Sequence, residues 1–145
     1  MPTSATRYSE PIPDPAHRTV EILIVDDSRT NRHILRALLL KLGHHADLAT
    51  NGFEAVAATR TRQYDLILMD IVMPGLDGIG AALEIRRIAG KPGRVPIVAV
   101  TADTLAEQHI AESGVAITAI MMKPISIEAL ASLLAQLGLS AVRTG

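Results

Sequence analysis

The stretch Asp65-Leu-Ile-Leu-Met-Asp70, continued by Ile71-Val-Met-Pro74, decides the fold. Its centre is apolar at every position instead of alternating, which is the mark of a strand buried on both faces. An acid follows at once. The same design stands earlier as Ile22-Leu-Ile-Val-Asp-Asp27. A strand covered on both sides belongs inside a parallel sheet with helices packed above and below it.

Working outward, β-branched and apolar runs predict strands over residues 21–25, 45–49, 65–69, 95–100 and 119–122. Helical periodicity fills the gaps. Ile34, Leu35, Leu38, Leu39 and Leu42 share one face of a first helix, with Arg32, Arg36 and Lys41 opposite. Asn51 with Glu54 forms a capping-box signature for a second, and Asp77 can cap a third. Thr104 with Glu107 repeats the signature for a fourth, which Gly114 would end. Ile127, Leu130, Leu133, Leu134 and Leu137 line a fifth. The fourth has the thinnest apolar stripe (Leu105, Ala106, Ile110, Ala111) and is expected to dock least firmly. The expected fold class is α/β, a doubly wound five-stranded parallel sheet in a (βα)5 chain.

Composition narrows the function classes. The 145 residues fit one domain with a substantial core. With aromatics at 2% and a formal net charge of -1, the chain offers neither a stacking platform nor a phosphate-backbone binder, so no nucleic acid partner is expected. There is no cysteine, which removes thiolate chemistry and disulfides and is compatible with the cytoplasm. No apolar run approaches the about 18–20 residues of a membrane span, so no membrane partner is expected. Residues 1–18 are polar and carry four prolines, Pro2, Pro11, Pro13 and Pro15, which reads as a flexible leader. Residues 19–140 then form the domain and 141–145 a short tail.

The chemistry-bearing residues fall where strands finish: Asp26 and Asp27 after the first, Asp70 after the third, Thr101 after the fourth, Lys123 after the fifth. Each alone has an ordinary use, since Asp caps helices and turns and lysine lies on surfaces. In an open α/β sheet, however, ligands bind at the carboxyl ends of strands where the winding reverses. If strands one and three are neighbours there, three carboxylates converge, and their repulsion calls for a cation. Few protein oxygens and retained waters suit Mg²⁺.

Together these stretches resemble the receiver domains of bacterial response regulators. The resemblance rests on Ile22-Leu-Ile-Val-Asp-Asp27, Leu68-Met-Asp-Ile-Val-Met-Pro74, Leu76-Asp-Gly78, Val98-Ala-Val-Thr-Ala102 and Lys123-Pro124-Ile125, and runs from about residue 21 to 137. Asn31 and the Met-Asp-Ile-Val-Met-Pro run are most similar to receivers attached to hybrid histidine kinases. The resemblance implies a flavodoxin-like sheet of order 2-1-3-4-5 and a two-component phosphorelay function. It implies Asp70 as phosphoacceptor from a phosphohistidine, with Mg²⁺ held by Asp27, Asp70 and the Val72 backbone carbonyl, and by Asp26 through metal-bound water. Lys123 would pair with one phosphoryl oxygen and the Thr101 hydroxyl would donate to another. A cis peptide is implied before Pro124.

By the same resemblance the chain is a signalling phosphoacceptor, not an enzyme beyond its own phosphorylation and dephosphorylation. Its partners would be a histidine kinase or histidine phosphotransfer protein. A downstream protein or a second receiver would meet the face made by the fourth helix, fifth strand and fifth helix. Two other readings stand beside it. An aspartyl-phosphate phosphohydrolase would commonly need an acid two residues after the nucleophile, where this chain has Val72; a degenerate receiver would not retain all five site residues. Two departures bear on output: Ile120 takes the position of a usual aromatic, and Ala116 that of a common glycine. Without a ring to withdraw, the response to phosphorylation is expected in residues 103–114. The histidines, His109 among them, have no ligand-spaced partner and are read as surface or packing residues.

Overall fold

A computed structural model describes residues 19–140; the expected leader and tail lie outside the described residues. Five strands, β1 (Ile22–Val25), β2 (Ala46–Ala49), β3 (Leu66–Asp70), β4 (Ile97–Thr101) and β5 (Ala119–Met122), alternate with helices α1 (Arg29–Lys41), α2 (Gly52–Thr61), α3 (Gly78–Arg86), α4 (Ala106–Ser113) and α5 (Ile127–Gln136). All pairings are parallel, in the order β2-β1-β3-β4-β5. The expected sheet, order included, is the one observed.

Strand periodicity splits the core into two layers. Leu23, Val25, Ile67, Met69, Ile97 and Ala99 face one side, against Ala55, Ala81, Ala82 and Ile85 of α2 and α3. Ile22, Ile24, Leu66, Leu68, Val98 and Val100 face the other, against Leu35 and Leu39 of α1 and Leu130 and Leu134 of α5. Each fully buried Ile, Leu or Val contributes about 1.5–3 kcal/mol, so the central strands β1, β3 and β4 form a stiff base for their C-terminal ends. The edge strand β5 is only half-buried and reaches solvent at Met122.

Caps set where the helices begin. Ser28, Asn51, Asp77 and Ser126 each accept a backbone N–H three residues on. Glu54 returns to the Thr50 N–H instead of the Asn51 N–H, so the predicted box closes one residue earlier than its ideal form. Thr104 does not cap α4. Asp103 takes over the turn by accepting the Leu105 N–H at 2.9 Å, and the helix starts at Ala106 with no side-chain cap. Its buried residues are Ala106 and Ile110, in keeping with the thin stripe, and Gly114 ends it in the left-handed region at φ 75°.

The strand predicted from residue 95 begins at Ile97, because a 3₁₀ turn over Lys91–Arg94 and then Pro96 precede it. The Arg86 guanidinium pins this corner, donating to the carbonyls of Gly93, Val95 and Ala116. Gly78 lets α3 approach the end of β3, where a Cβ would collide with the Asp70 carbonyl oxygen. Lys123–Pro124 is cis.

Candidate active site

β1 and β3 lie side by side because the chain winds to β2 in one direction and then reverses. Their C-terminal ends therefore bring Asp26, Asp27 and Asp70 together, with carboxylate oxygens within 4.8 Å of one another. Asp26 and Asp70 are buried, at 1% and 6% exposure, while Asp27 faces solvent.

Lys123 joins these three acids, and Thr101 stands at the end of the neighbouring strand β4. Lys123 arrives from the end of β5, with Nζ 2.9 Å from Asp26 Oδ2 and 3.6 Å from Asp70 Oδ2. Asp26 Oδ1 also accepts the Ser28 N–H, and its backbone carbonyl accepts from the Arg32 guanidinium. Asp70 Oδ1 accepts the Val72 N–H at 3.1 Å. Thr101, fully buried at the end of β4, accepts the Asp103 N–H at 3.0 Å.

Sequence reasoning missed two partners. Arg32, read as a solvent-facing residue, holds the Asp26 carbonyl, and its offset of six residues carries no motif to announce it. His109 is exposed, as a surface residue would be, and its Nδ1 lies 2.8 Å from Asp103, a contact the sequence did not announce. That contact spans a loop whose course only the structure supplies.

The Lys123 ammonium serves two of the three carboxylates, and it sits closer to Asp26 than to Asp70. Burial pushes the Asp70 carboxyl up to about 6; Lys123 and the Val72 N–H oppose this, while Asp26 and Asp27 add to it. A buried carboxylate held above its ordinary value beside two other acids marks a functional site. The donor set, all oxygen with one exposed carboxylate, fits a hard divalent cation that retains water.

Residues 22–135 match the family model described as the response regulator receiver domain. The chain belongs to that family. This receiver is 35% identical over 124 residues to the signal transduction histidine-protein kinase BarA of Escherichia coli (strain K12), covering 86% of this chain and 13% of BarA. It is 32% identical over 141 residues to histidine kinase 5 of Arabidopsis thaliana, covering 80% of this chain and 15% of that kinase. The receiver thus spans about one-seventh of the length of these kinases. Among solved structures it is similar to the receiver domain of sensor histidine kinase PA1611 from Pseudomonas aeruginosa PAO1, a structure with magnesium coordinated in its active site cleft. That likeness has a TM-score of 0.75 and 33% identity, over 83% of this chain and 99% of that one. Among the described residues, no helix of the receiver is long and apolar enough to cross a membrane.

Proposed function

We propose that this receiver accepts a phosphoryl group on Asp70 from a phosphohistidine of a histidine kinase or histidine phosphotransfer protein, with Mg²⁺, and signals by protein contact in the cytoplasm. The observation that carries this reading is the convergence of Asp26, Asp27 and Asp70 at the switch point of the sheet, with Lys123 against Asp26 and Asp70. Asp27, Asp70 and the Val72 carbonyl would hold the metal directly, and Asp26 through a water. Mg²⁺ bound there would neutralise charge on the incoming phosphoryl oxygens and on Asp70 itself.

The residues of the chain do the rest. An Asp70 carboxylate oxygen attacks phosphorus, the phosphorus–nitrogen bond of the donor breaks, and its electron pair returns to the imidazole. Phosphoryl transfer needs positioning and charge neutralisation more than covalent help, and the Lys123 ammonium supplies part of the latter. The Thr101 hydroxyl already accepts a bond from the Asp103 N–H, which leaves its proton to donate to a phosphoryl oxygen. A cleft of about 370 Å³ beside Lys123, walled by Ile34, Leu35, Val100 and Ile125, leaves space for an apolar side of the donor protein.

The phosphohydrolase reading finds no support here, because Val72 stands exposed and apolar where the second acid would act. With Mg²⁺ and acetyl phosphate, the intact mass of the wild type should rise by one phosphoryl group. Asp70→Asn should stay unlabelled, since an amide neither attacks nor forms the anhydride. Undiminished labelling of Asp70→Asn, or rapid turnover of the donor without labelled protein, would count against the proposal.

A further inference from the structure

The Thr101 hydroxyl is restrained by a residue outside the carboxylate cluster, the Asp103 N–H at 3.0 Å. Asp103 is itself tied twice through its carboxylate. Oδ1 accepts the Leu105 N–H at 2.9 Å, and Oδ2 lies 2.8 Å from His109 Nδ1 on the first turn of α4. The Leu105 N–H, with His109 assisting, holds the Asp103 carboxyl below the ordinary carboxylate range, so it is an anion at neutral pH. Both the imidazolium and the Nδ1–H tautomer of His109 can donate to it.

The rest of α4 is lightly held. Its buried residues are Ala106 and Ile110, and it has no side-chain cap. Its far end runs into a firmly tied segment: Arg86 grips the Ala116 carbonyl, and Thr118 exchanges bonds with Ile97 through its N–H and its hydroxyl. One end of the helix is therefore moored, and the other connects to Thr101 through a short series of hydrogen bonds.

We propose that the Asp103–His109 pair is the link by which movement of Thr101 is passed to α4, with His109 a positioning residue. The inference rests on the reading of Asp70 as phosphoacceptor and of Thr101 as the hydroxyl that turns toward the phosphoryl group. When that hydroxyl moves, the Asp103 N–H must either let go or follow. Asp103 cannot turn freely without giving up Leu105 or His109, so the loop follows as a unit and takes the first turn of α4 with it. A two-state element biased from a distance in this way is what coupling between sites requires. Ile120, half-buried against the core in the place of an aromatic, has no ring to carry the message instead.

Amide hydrogen exchange with and without beryllofluoride and Mg²⁺ tests the link, with ¹⁹F NMR reporting occupancy of the site. In the wild type the mimic should change exchange over residues 102–105 and onward through α4. In His109→Ala the change over 102–105 should persist while that in α4 shrinks by about threefold or more. His109→Gln, whose amide can donate to the same carboxylate oxygen, should restore it. A merely structural role would raise α4 exchange equally in both states and leave the difference intact. A full α4 response in His109→Ala with the mimic bound overturns the proposal. So does a lost response in His109→Gln, which also decides the matter if the alanine variant frays α4 outright. If the wild type binds no beryllofluoride, the phosphoacceptor reading falls and this inference falls with it; binding without α4 dependence on His109 removes the inference alone.

Discussion

At the N-terminal edge of the sheet, Glu21, Asp47 and Asp65 gather around Arg62 and Tyr64; at the C-terminal edge, Asp26, Asp27 and Asp70 gather around Lys123. The first group is satisfied from several directions. Arg62 lies 2.7 Å from Glu21 and 3.5 Å from Asp47, the Tyr64 hydroxyl donates to Asp47 at 2.7 Å, and Asp65 accepts the Glu21 N–H at 2.8 Å. Burial, aided by Asp47, pushes the Tyr64 phenol above its usual range, so it remains a donor. The second group has the same ratio, one lysine for three acids, but Asp26 and Asp70 are buried and Asp70 is pushed up to about 6. Acids at a strand edge do not by themselves make a site. Negative charge held away from water does, because a cation can then gain by arriving.

Magnesium titration should separate the two edges most widely. At neutral pH, Asp27→Ala should weaken Mg²⁺ binding by roughly tenfold or more, since it removes a proposed ligand and one of three negative charges. Asp47→Asn should leave the affinity unchanged, as followed by calorimetry. Equal losses would erase the distinction between the two clusters.

Stability against pH should sharpen it. The folded-state value of Asp70 lies above its ordinary one of 3.8, so the folded chain holds that proton more tightly. Its contribution is fully present below about pH 4 and is lost as pH rises through about 6. Denaturant unfolding without metal should show the wild type losing roughly 2–3 kcal/mol more than Asp70→Asn across that window. Added Mg²⁺ should stabilise the wild type more than the variant. Parallel profiles for the two would mean that burial does not strain Asp70.

The smallest effect belongs to the satisfied edge. Tyr64→Phe removes one donor to a carboxylate and should cost about 1–2 kcal/mol at pH 7. Phosphorylation of Asp70 should be unaffected. A variant that folded normally but labelled poorly would show that the two edges are coupled.

Much of this was legible in the sequence. The central strands announce themselves because burial on both faces forbids polar residues, and the ends of those strands then locate Asp26, Asp27, Asp70 and Thr101. Where local signals compete, the sequence reads less well. Thr104 and Glu107 spell a capping box, but Asp103 lies one residue nearer the strand and reaches the Leu105 N–H first. The start of β4 is delayed by Pro96 and the turn over Lys91–Arg94, whose geometry depends on Arg86 holding three carbonyls from across the fold. The preference of Lys123 for Asp26 over Asp70 is likewise a matter of tertiary distance, invisible in motif spacing.

The phosphoacceptor claim is tested most directly by trapping the acyl phosphate. After incubation with acetyl phosphate and Mg²⁺, borohydride reduces an aspartyl phosphate to homoserine, and peptide mass spectrometry locates it. The account predicts homoserine at position 70 and a reduced carboxyl at no other of the 15 acidic residues. Trapping at a different carboxylate, or a phosphoryl group found on a histidine with position 70 unmodified, would contradict it.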